Sequence, residues 1–428
     1  MKLFSQISKL TAWMIPSKKN RFLYKDYLYL LDSKKEIENA HKNYEKVLAR
    51  LRSKKGKLKV VFLIRENQKW TYQSLYEQFE KSDRFEPLVL VSILTLAAKG
   101  KDKTRNNLDE NYDFFKSRGM NVDYAYKNNE YLDLKAFNPD IVFYDQPWDL
   151  PAIHEPKCVS KFALTCYCSY SYEILDCAED YTTKFHRFLY KFFVEDESNI
   201  KRYGSYNKEN AKNCVSAGYP KLDEYFKQKT ECEIWKDKTK LKIIYAPHHS
   251  LEKNGLKLST FDKNGKFILE LAKKYPETTW VFKPHPRFKY ALLRTKIMSE
   301  KEINAYYNEW AEIGTIYEEG DYIDLFRTSD LMITDGCSFL AEYLPTEKPL
   351  IRLINKNSVN LNELGAKFAK GLYEVKSNTE LERTFEDLII NKNDYKREIR
   401  KKVIGEIIKN NKSSERIYEF ISSLTRNY

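Results

Sequence analysis

"IIYAPHHS", residues 243–250, decides how the chain is to be read. An unbroken apolar run ends in a Pro-His turn, and "TTWVFKPHP" (278–286) repeats the form further along. Three of the chain's six histidines, His248, His249 and His285, therefore follow the ends of two predicted strands. Short apolar runs closed by turn residues are the signature of strands buried on both faces of a parallel sheet. In such sheets ligands bind beyond the carboxyl ends of the strands. The histidines stand where a ligand would.

Working outward, the same form recurs. "VVFLIREN" (60–67), "PLVLVSIL" (87–94) and "DIVFYDQPWDLP" (140–151) each run from an apolar strand into a polar loop. "KFALTCYCSY", "KFFVEDES", "LMITDGCS" and "KPLIRLIN" do so too, with helical stretches such as "WTYQSLYEQFEKS" and "FDKNGKFILELAKKY" between them. Strands alternating with helices predict an α/β fold with crossover connections. The polar "KQKTECEIWKDKTK" (227–240) reads as a linker between two such halves. The organisation expected is a basic helical N-terminal segment (1–57), one Rossmann-like domain (58–228), a second (229–393), and a C-terminal helix packing back (394–428). A chain of 428 residues is long enough for two cores.

Seven cysteines show no ligand spacing and no disulfide framework, which points to a reducing compartment. No run reaches a spanning length, and the N-terminus lacks the form of a secretion signal. A cytoplasmic protein is expected. Of the net charge of +13, residues 1–57 carry an excess of ten, with 15 Lys/Arg against five Asp/Glu. Leu3, Phe4, Ile7, Leu10, Trp13 and Met14 recur at near-helical spacing, followed by Lys18, Lys19 and Arg21. Such a segment suits either the anionic inner face of a membrane or a helix laid against the body of the protein. Nucleic acid is not expected as a partner, because no nucleic-acid module follows.

"MITDGCS" runs a strand into Asp335, Gly336, Cys337 and Ser338 and then a helix. Gly336 allows close backbone approach or a positive φ, Ser338 can cap the helix, and a helix start can seat a phosphate. In order and spacing, "GYPKLD", "IIYAPHHS", "FKPHP" and "MITDGCSFLAEYLPTEKPLI" resemble the CDP-glycerol glycerophosphotransferase family of teichoic acid and capsule synthesis. The resemblance covers about residues 140–355.

That resemblance implies a GT-B fold, two Rossmann-like domains with a cleft between them. It also implies transfer of glycerol phosphate or a related polyol phosphate from a CDP-activated donor to a glycan or lipid-linked acceptor. No tightly bound cofactor is implied. His285, with Lys283 before it, matches the turn facing the donor phosphates; Ser338 matches a serine holding the diphosphate. Glu342 matches an acidic position that accepts from ribose or glycerol hydroxyls, and His248 and His249 follow the matching Ala-Pro turn. Asp335, Gly336 and Cys337 belong to the same diphosphate turn. Cys337 stands where the family has serine, and Ser250 where it often has arginine. The acceptor-side histidine of the family's Trp-His-Gly-Thr motif is absent, its region reading Cys166-Tyr167-Cys168-Ser169-Tyr170-Ser171.

With that histidine gone, Asp145 is the expected general base and Asp149 its reserve, each following a strand. Tyr144, Trp148, Tyr167, Tyr170 and Tyr172 would form an aromatic wall for a polyol. No DxD pair adjoins the turns, so a route without metal is expected. Two rival readings share these motifs: a nucleotide-sugar glycosyltransferase, and a non-catalytic binding protein with a degenerate site.

Overall fold

The computed structural model describes residues 3–16, 18–99, 107–177, 183–206, 208–227, 232–252, 255–318, 320–407 and 412–425. The chain divides into two compact units. Unit 1 comprises residues 1–170, 177–221 and 412–428, and unit 2 comprises 171–176 and 222–411.

Unit 1 is built on β1 (Leu58–Ile64), β2 (Phe85–Val91), β3 (Val122–Tyr124), β6 (Ile141–Tyr144), β7 (Leu164–Cys168), β8 (Lys191–Val194) and β9 (Cys214–Ser216). A small antiparallel hairpin, β4 (Tyr126–Lys127) with β5 (Glu130–Tyr131), stands apart. The seven strands are parallel in the order β3-β2-β1-β6-β7-β8-β9. Because side chains alternate along a strand, β1 serves two cores. Val60, Phe62 and Ile64 pack on one face with Phe143 and Phe79, while Val61 and Leu63 pack on the other with Tyr144 and Tyr167.

The helix Lys18–Ser53 is laid against this unit, and its Ala40, Tyr44, Val47 and Leu51 recur at three- and four-residue steps and are buried. Tyr44 donates to the Phe188 carbonyl at 2.6 Å. The helix Ser413–Leu424 covers the sheet with fully buried Ile417 and Ile421.

Unit 2 carries β10 (Leu241–Ala246), β11 (Thr278–Phe282), β12 (Gly314–Ile316), β13 (Leu331–Thr334), β14 (Leu350–Leu353) and β15 (Tyr373–Val375). They are parallel in the order β12-β11-β10-β13-β14-β15. Phe282 stacks on Trp310 at 5.1 Å in its core. The segment 171–176 belongs here because Asn362 ties it down. Its amide donates to the Glu173 carbonyl at 2.8 Å while its side-chain oxygen caps the helix Glu363–Ala369 at the Gly365 N–H. A Cβ on Gly365 would stand 2.4 Å from the Ile174 carbonyl oxygen, so only glycine fits.

The stretch read as a linker is partly a packed element. Residues 228–231 lie outside the described residues, but Trp235 is buried and donates to Thr328 Oγ1 at 2.9 Å within unit 2. The C-terminal region forms two helices instead of one. Arg397–Ile407 belongs to unit 2 and Ser413–Leu424 to unit 1.

Each sheet reverses its strand order at one place. In unit 1 the chain winds outward from β1 to β2 and β3, then resumes at β6 on the other side; in unit 2 the reversal lies between β10 and β13. In open parallel sheets the loops leaving the carboxyl ends at such a reversal diverge and open a crevice, the usual seat of a ligand.

Candidate functional site

In unit 2 the two strands flanking the reversal end at Ala246 and Thr334. Pro247-His248-His249 leaves one and Asp335-Gly336-Cys337 the other. The Thr334 hydroxyl donates to the Ala246 carbonyl at 2.7 Å and accepts the Gly336 N–H at 2.9 Å, which sets the start of the second loop. From the neighbouring β11, the His285 N–H donates to the Pro247 carbonyl at 3.1 Å. Proline at 247 and 284 restricts both turns at φ. The histidines are thus joined through the backbone.

Their rings meet. His249 lies 4.0 Å from His285 and 4.4 Å from His248, centroid to centroid, and His248 lies 5.4 Å from His285. All three are half-buried. One ring nitrogen from each falls within 4.8 Å of the others, a spacing that could hold a metal ion. The tautomers favour a different use. The Ser250 backbone N–H donates to His248 Nδ1 at 3.2 Å, and the Arg287 N–H donates to His285 Nδ1 at 3.1 Å. A backbone N–H can only donate, so both Nδ1 atoms are acceptors and the proton of each neutral ring sits on Nε2. A metal-bound imidazole has the opposite pattern, giving its distal N–H to an acceptor. These rings present N–H donors, which suits an anion.

Burial is the main cause that holds His248 well below the ordinary histidine range. It also brings His249 down to about 4, helped by the nearby Arg287 and Arg294. Both are neutral near pH 7. His249 Nδ1 is buried without a protein hydrogen-bond partner among the described residues, so it has capacity left for a ligand.

Asp335 lies under the turn and not on its surface. Its side chain accepts from the His248 N–H (2.6 Å), the Thr260 N–H (2.6 Å) and the Thr260 hydroxyl (2.9 Å). Burial raises it to about 6 against the pull of those bonds. It braces the histidine turn, together with Thr260, which sequence reasoning passed over, and Ser250, which it noted only as a departure from the family pattern. The signal for Thr260 was a hydroxyl residue in the polar loop after β10, a weak one.

Gly336 does not have a positive φ. A Cβ there would come 3.2 Å from Thr334 Oγ1, so the close-approach reading applies. Cys337, whose thiol burial pushes up to about 11, occupies the N-cap position. Ser338 is the first helical residue, not the cap, and the helix Ser338–Glu342 is only five residues long. Glu342 is buried and accepts from the Tyr322 hydroxyl. Lys283 is buried with its ammonium 4.8 Å from the Tyr317 ring and 5.1 Å from the Tyr322 ring. Both side chains thus meet Tyr322.

Asp145 belongs to unit 1 and is sealed. Its side chain and that of Arg65 are 0% exposed, with Arg65 Nη2 and Nε donating to Oδ1 at 2.6 and 3.0 Å and the Arg65 N–H to Oδ2 at 2.7 Å. A carboxylate enclosed in this way has no open face for a substrate hydroxyl, so the expectation of a base at Asp145 is corrected. Asp149 is in the left-handed region and takes the Thr95 hydroxyl and the Leu96 N–H (2.9 Å), which holds the short helix Thr95–Ala98. The aromatic wall dissolves too. Tyr144 and Tyr167 are core residues, Tyr172 packs on Phe368 in unit 2, and only Trp148 and Tyr170 stay half-buried.

Three solved structures show the fold. The wall teichoic acid polymerase TagF, as its H444N variant, shares 13% identity over 99% of this chain and 98% of its own, with a TM-score of 0.55. A putative UDP-N-acetylglucosamine 2-epimerase from Listeria monocytogenes shares 15% over 87% and 99%, with a TM-score of 0.56. S. aureus MnaA, solved with UDP, shares 13% over 85% and 96%, with a TM-score of 0.53. The architecture is GT-B. No protein of curated function matches the sequence. The sequence itself matches the CDP-Glycerol:Poly(glycerophosphate) glycerophosphotransferase family over residues 194–423. With more than half of its length in that match, the chain belongs to the CDP-glycerol:poly(glycerophosphate) glycerophosphotransferase family.

Proposed function

We propose that the protein transfers glycerol phosphate, or a related polyol phosphate, from a CDP-activated donor to a hydroxyl of a glycan or lipid-linked acceptor, extending a teichoic acid-like polymer. The observation that carries this reading is the group of three imidazoles at the strand reversal of unit 2, two of them fixed as Nε2–H donors. The attacking hydroxyl oxygen forms a bond to the phosphorus that bears the polyol. The bond from that phosphorus to the bridging oxygen breaks, and CMP leaves with the electron pair. Catalysis of such a step is mainly positioning and charge stabilisation. His285, His248 and His249 would donate to the diphosphate oxygens, with Ser338 and the Gly336–Cys337 backbone beside them. Unit 2 is the donor side and unit 1 the acceptor side in this proposal.

A thermal-shift series with CDP-glycerol, CDP-ribitol, UDP-sugars and GDP-sugars tests the donor, since a ligand that binds only the native state raises its apparent stability. CDP-glycerol or CDP-ribitol should give the largest shift, followed by CMP release on adding acceptor. A larger shift with a UDP-sugar would move the assignment to a nucleotide-sugar donor.

The neutral donors carry a pH prediction. A site needing imidazolium loses anion affinity as pH rises through about 6.5. Here His248 and His249 are already neutral, so in a His285→Gln background CDP-glycerol affinity should stay flat between about pH 6 and pH 8. It should rise only in acid, as His249 takes a proton towards about 4. A fall of tenfold or so across the neutral range in that background, measured by calorimetric titration, would refute the neutral state of His248 and His249.

The N-terminal segment is proposed to meet an anionic membrane. Leu10, Trp13 and Met14 are 72%, 71% and 66% exposed at the end of the helix Leu3–Thr11 and the turn Ala12–Met14. The side chains of Leu3, Lys18 and Lys19 lie outside the described residues. Among the described residues no helix is long and apolar enough to cross a membrane. Wild type should float with vesicles containing phosphatidylglycerol, less so at high salt, whereas the triple variant Leu10→Ser, Trp13→Ser, Met14→Ser should remain at the bottom of the gradient. Equal flotation of both would reject the anchor.

A further inference from the structure

We propose that Glu66 takes the proton of the acceptor hydroxyl, the task left open by the missing acceptor-side histidine. This rests on the transferase reading above. Glu66 follows β1 and Gln146 follows β6, the two strands that flank the order reversal of the unit 1 sheet. That is the place in an open parallel sheet where a ligand is expected, and the polar side chains there are arranged in two storeys.

The lower storey is the sealed Arg65–Asp145 pair. Arg65 also donates to the Trp148 and Gln146 carbonyls, and the Glu66 N–H reaches Asp145 Oδ2 at 3.3 Å, so the pair fixes both loops. The upper storey stays accessible. The Glu66 and Lys69 side chains are 15% and 20% exposed, and Lys69 Nζ lies 2.5 Å from Glu66 Oε2. Gln146, fully buried, donates from Nε2 to the same Oε2 at 2.7 Å and accepts from Lys69 at Oε1, which fixes which way its amide points.

The Lys69 ammonium also stands 4.9 Å from the Tyr170 ring, in the loop after β7. Among the described residues, the charged groups near Glu66 include Lys69 from its own turn, Arg65 beside it in sequence, and Asp145 from the loop after β6. A carboxylate held in one orientation by an amide and by an ammonium that itself borders an aromatic ring matches what a polyol terminus needs. As its oxygen bonds to phosphorus and CMP departs, the O–H proton passes to the Glu66 carboxylate and from there to water.

The test uses the full chain, CDP-glycerol as donor and glycerol 3-phosphate as acceptor probe. Glu66→Gln should bind CDP-glycerol within about twofold of wild type, while kcat for CMP release falls about 10²–10⁴-fold. The fall of rate on the acid side, present in wild type, should vanish in Glu66→Gln and persist at reduced kcat in Glu66→Asp. A purely structural role would leave the shape of the profile unchanged. Should Glu66→Gln fail to fold, Lys69→Met removes the positive neighbour and should move the acid limb to higher pH; an unmoved limb overturns the proposal. Wild type that binds no CDP-glycerol overturns the donor reading and this inference with it. Normal binding with Glu66→Gln turning over within about threefold of wild type overturns this inference alone.

Discussion

His285→Ala should turn over CDP-glycerol about 10²–10³-fold more slowly than wild type, the usual loss when one preorganised donor to a developing charge is removed. The ring belongs to a turn and not to a core. What holds the turn is backbone: the His285 N–H on the Pro247 carbonyl, and the Phe288 N–H on the His285 carbonyl at 2.7 Å. Alanine keeps both bonds, so the melting temperature should hardly move. The imidazole contributes its Nε2–H, fixed by the Arg287 N–H on Nδ1, and its contact with His249. His285→Gln can still offer an amide N–H and should recover part of the rate. Initial rates of CMP release at saturating donor, beside a thermal melt, make the check. A His285→Ala enzyme within about threefold of wild type would remove the histidine turn from the chemistry.

The parallel strands were legible because they are buried on both faces and so read as unbroken apolar runs, "VVFLI" and "IIYA" among them. The histidine cluster was legible for the same reason, since a strand end in a parallel sheet is also the edge of a crevice. Hidden from sequence was what each polar side chain faces. Asp145 and Glu66 look alike locally, both acidic and each one or two residues beyond a strand. What separates them is Arg65, 80 positions from Asp145 in sequence, which closes over Asp145, while the Glu66 side chain stays 15% exposed. Asp335 was placed on the ligand for its motif, yet its oxygens serve His248 and Thr260. Tyr144 and Tyr167 could have been read correctly: in strands buried on both faces, alternation sends every side chain into one core or the other.

Asp145→Asn should lower the stability of unit 1 by about 3–5 kcal/mol, the cost of leaving a buried charge unpaired. The pair itself is not the source of stability, since desolvating both ions cancels much of their attraction. The loss comes from Arg65, whose guanidinium is 0% exposed and would keep carbonyl acceptors, those of Trp148, Gln146 and the new amide, but no counter-charge. For a unit of this size about 2–4 °C is lost per kcal/mol, so the melt should fall by on the order of 10 °C. Two units can unfold separately, so the transition must be assigned to unit 1 before it is compared. Arg65→Met with Asp145→Leu, which removes both charges, should recover much of the loss. Activity should decline with the folded fraction and return on cooling, because the carboxylate touches no substrate. An Asp145→Asn protein with an unchanged melt and abolished turnover would reverse this assignment and restore Asp145 as the base.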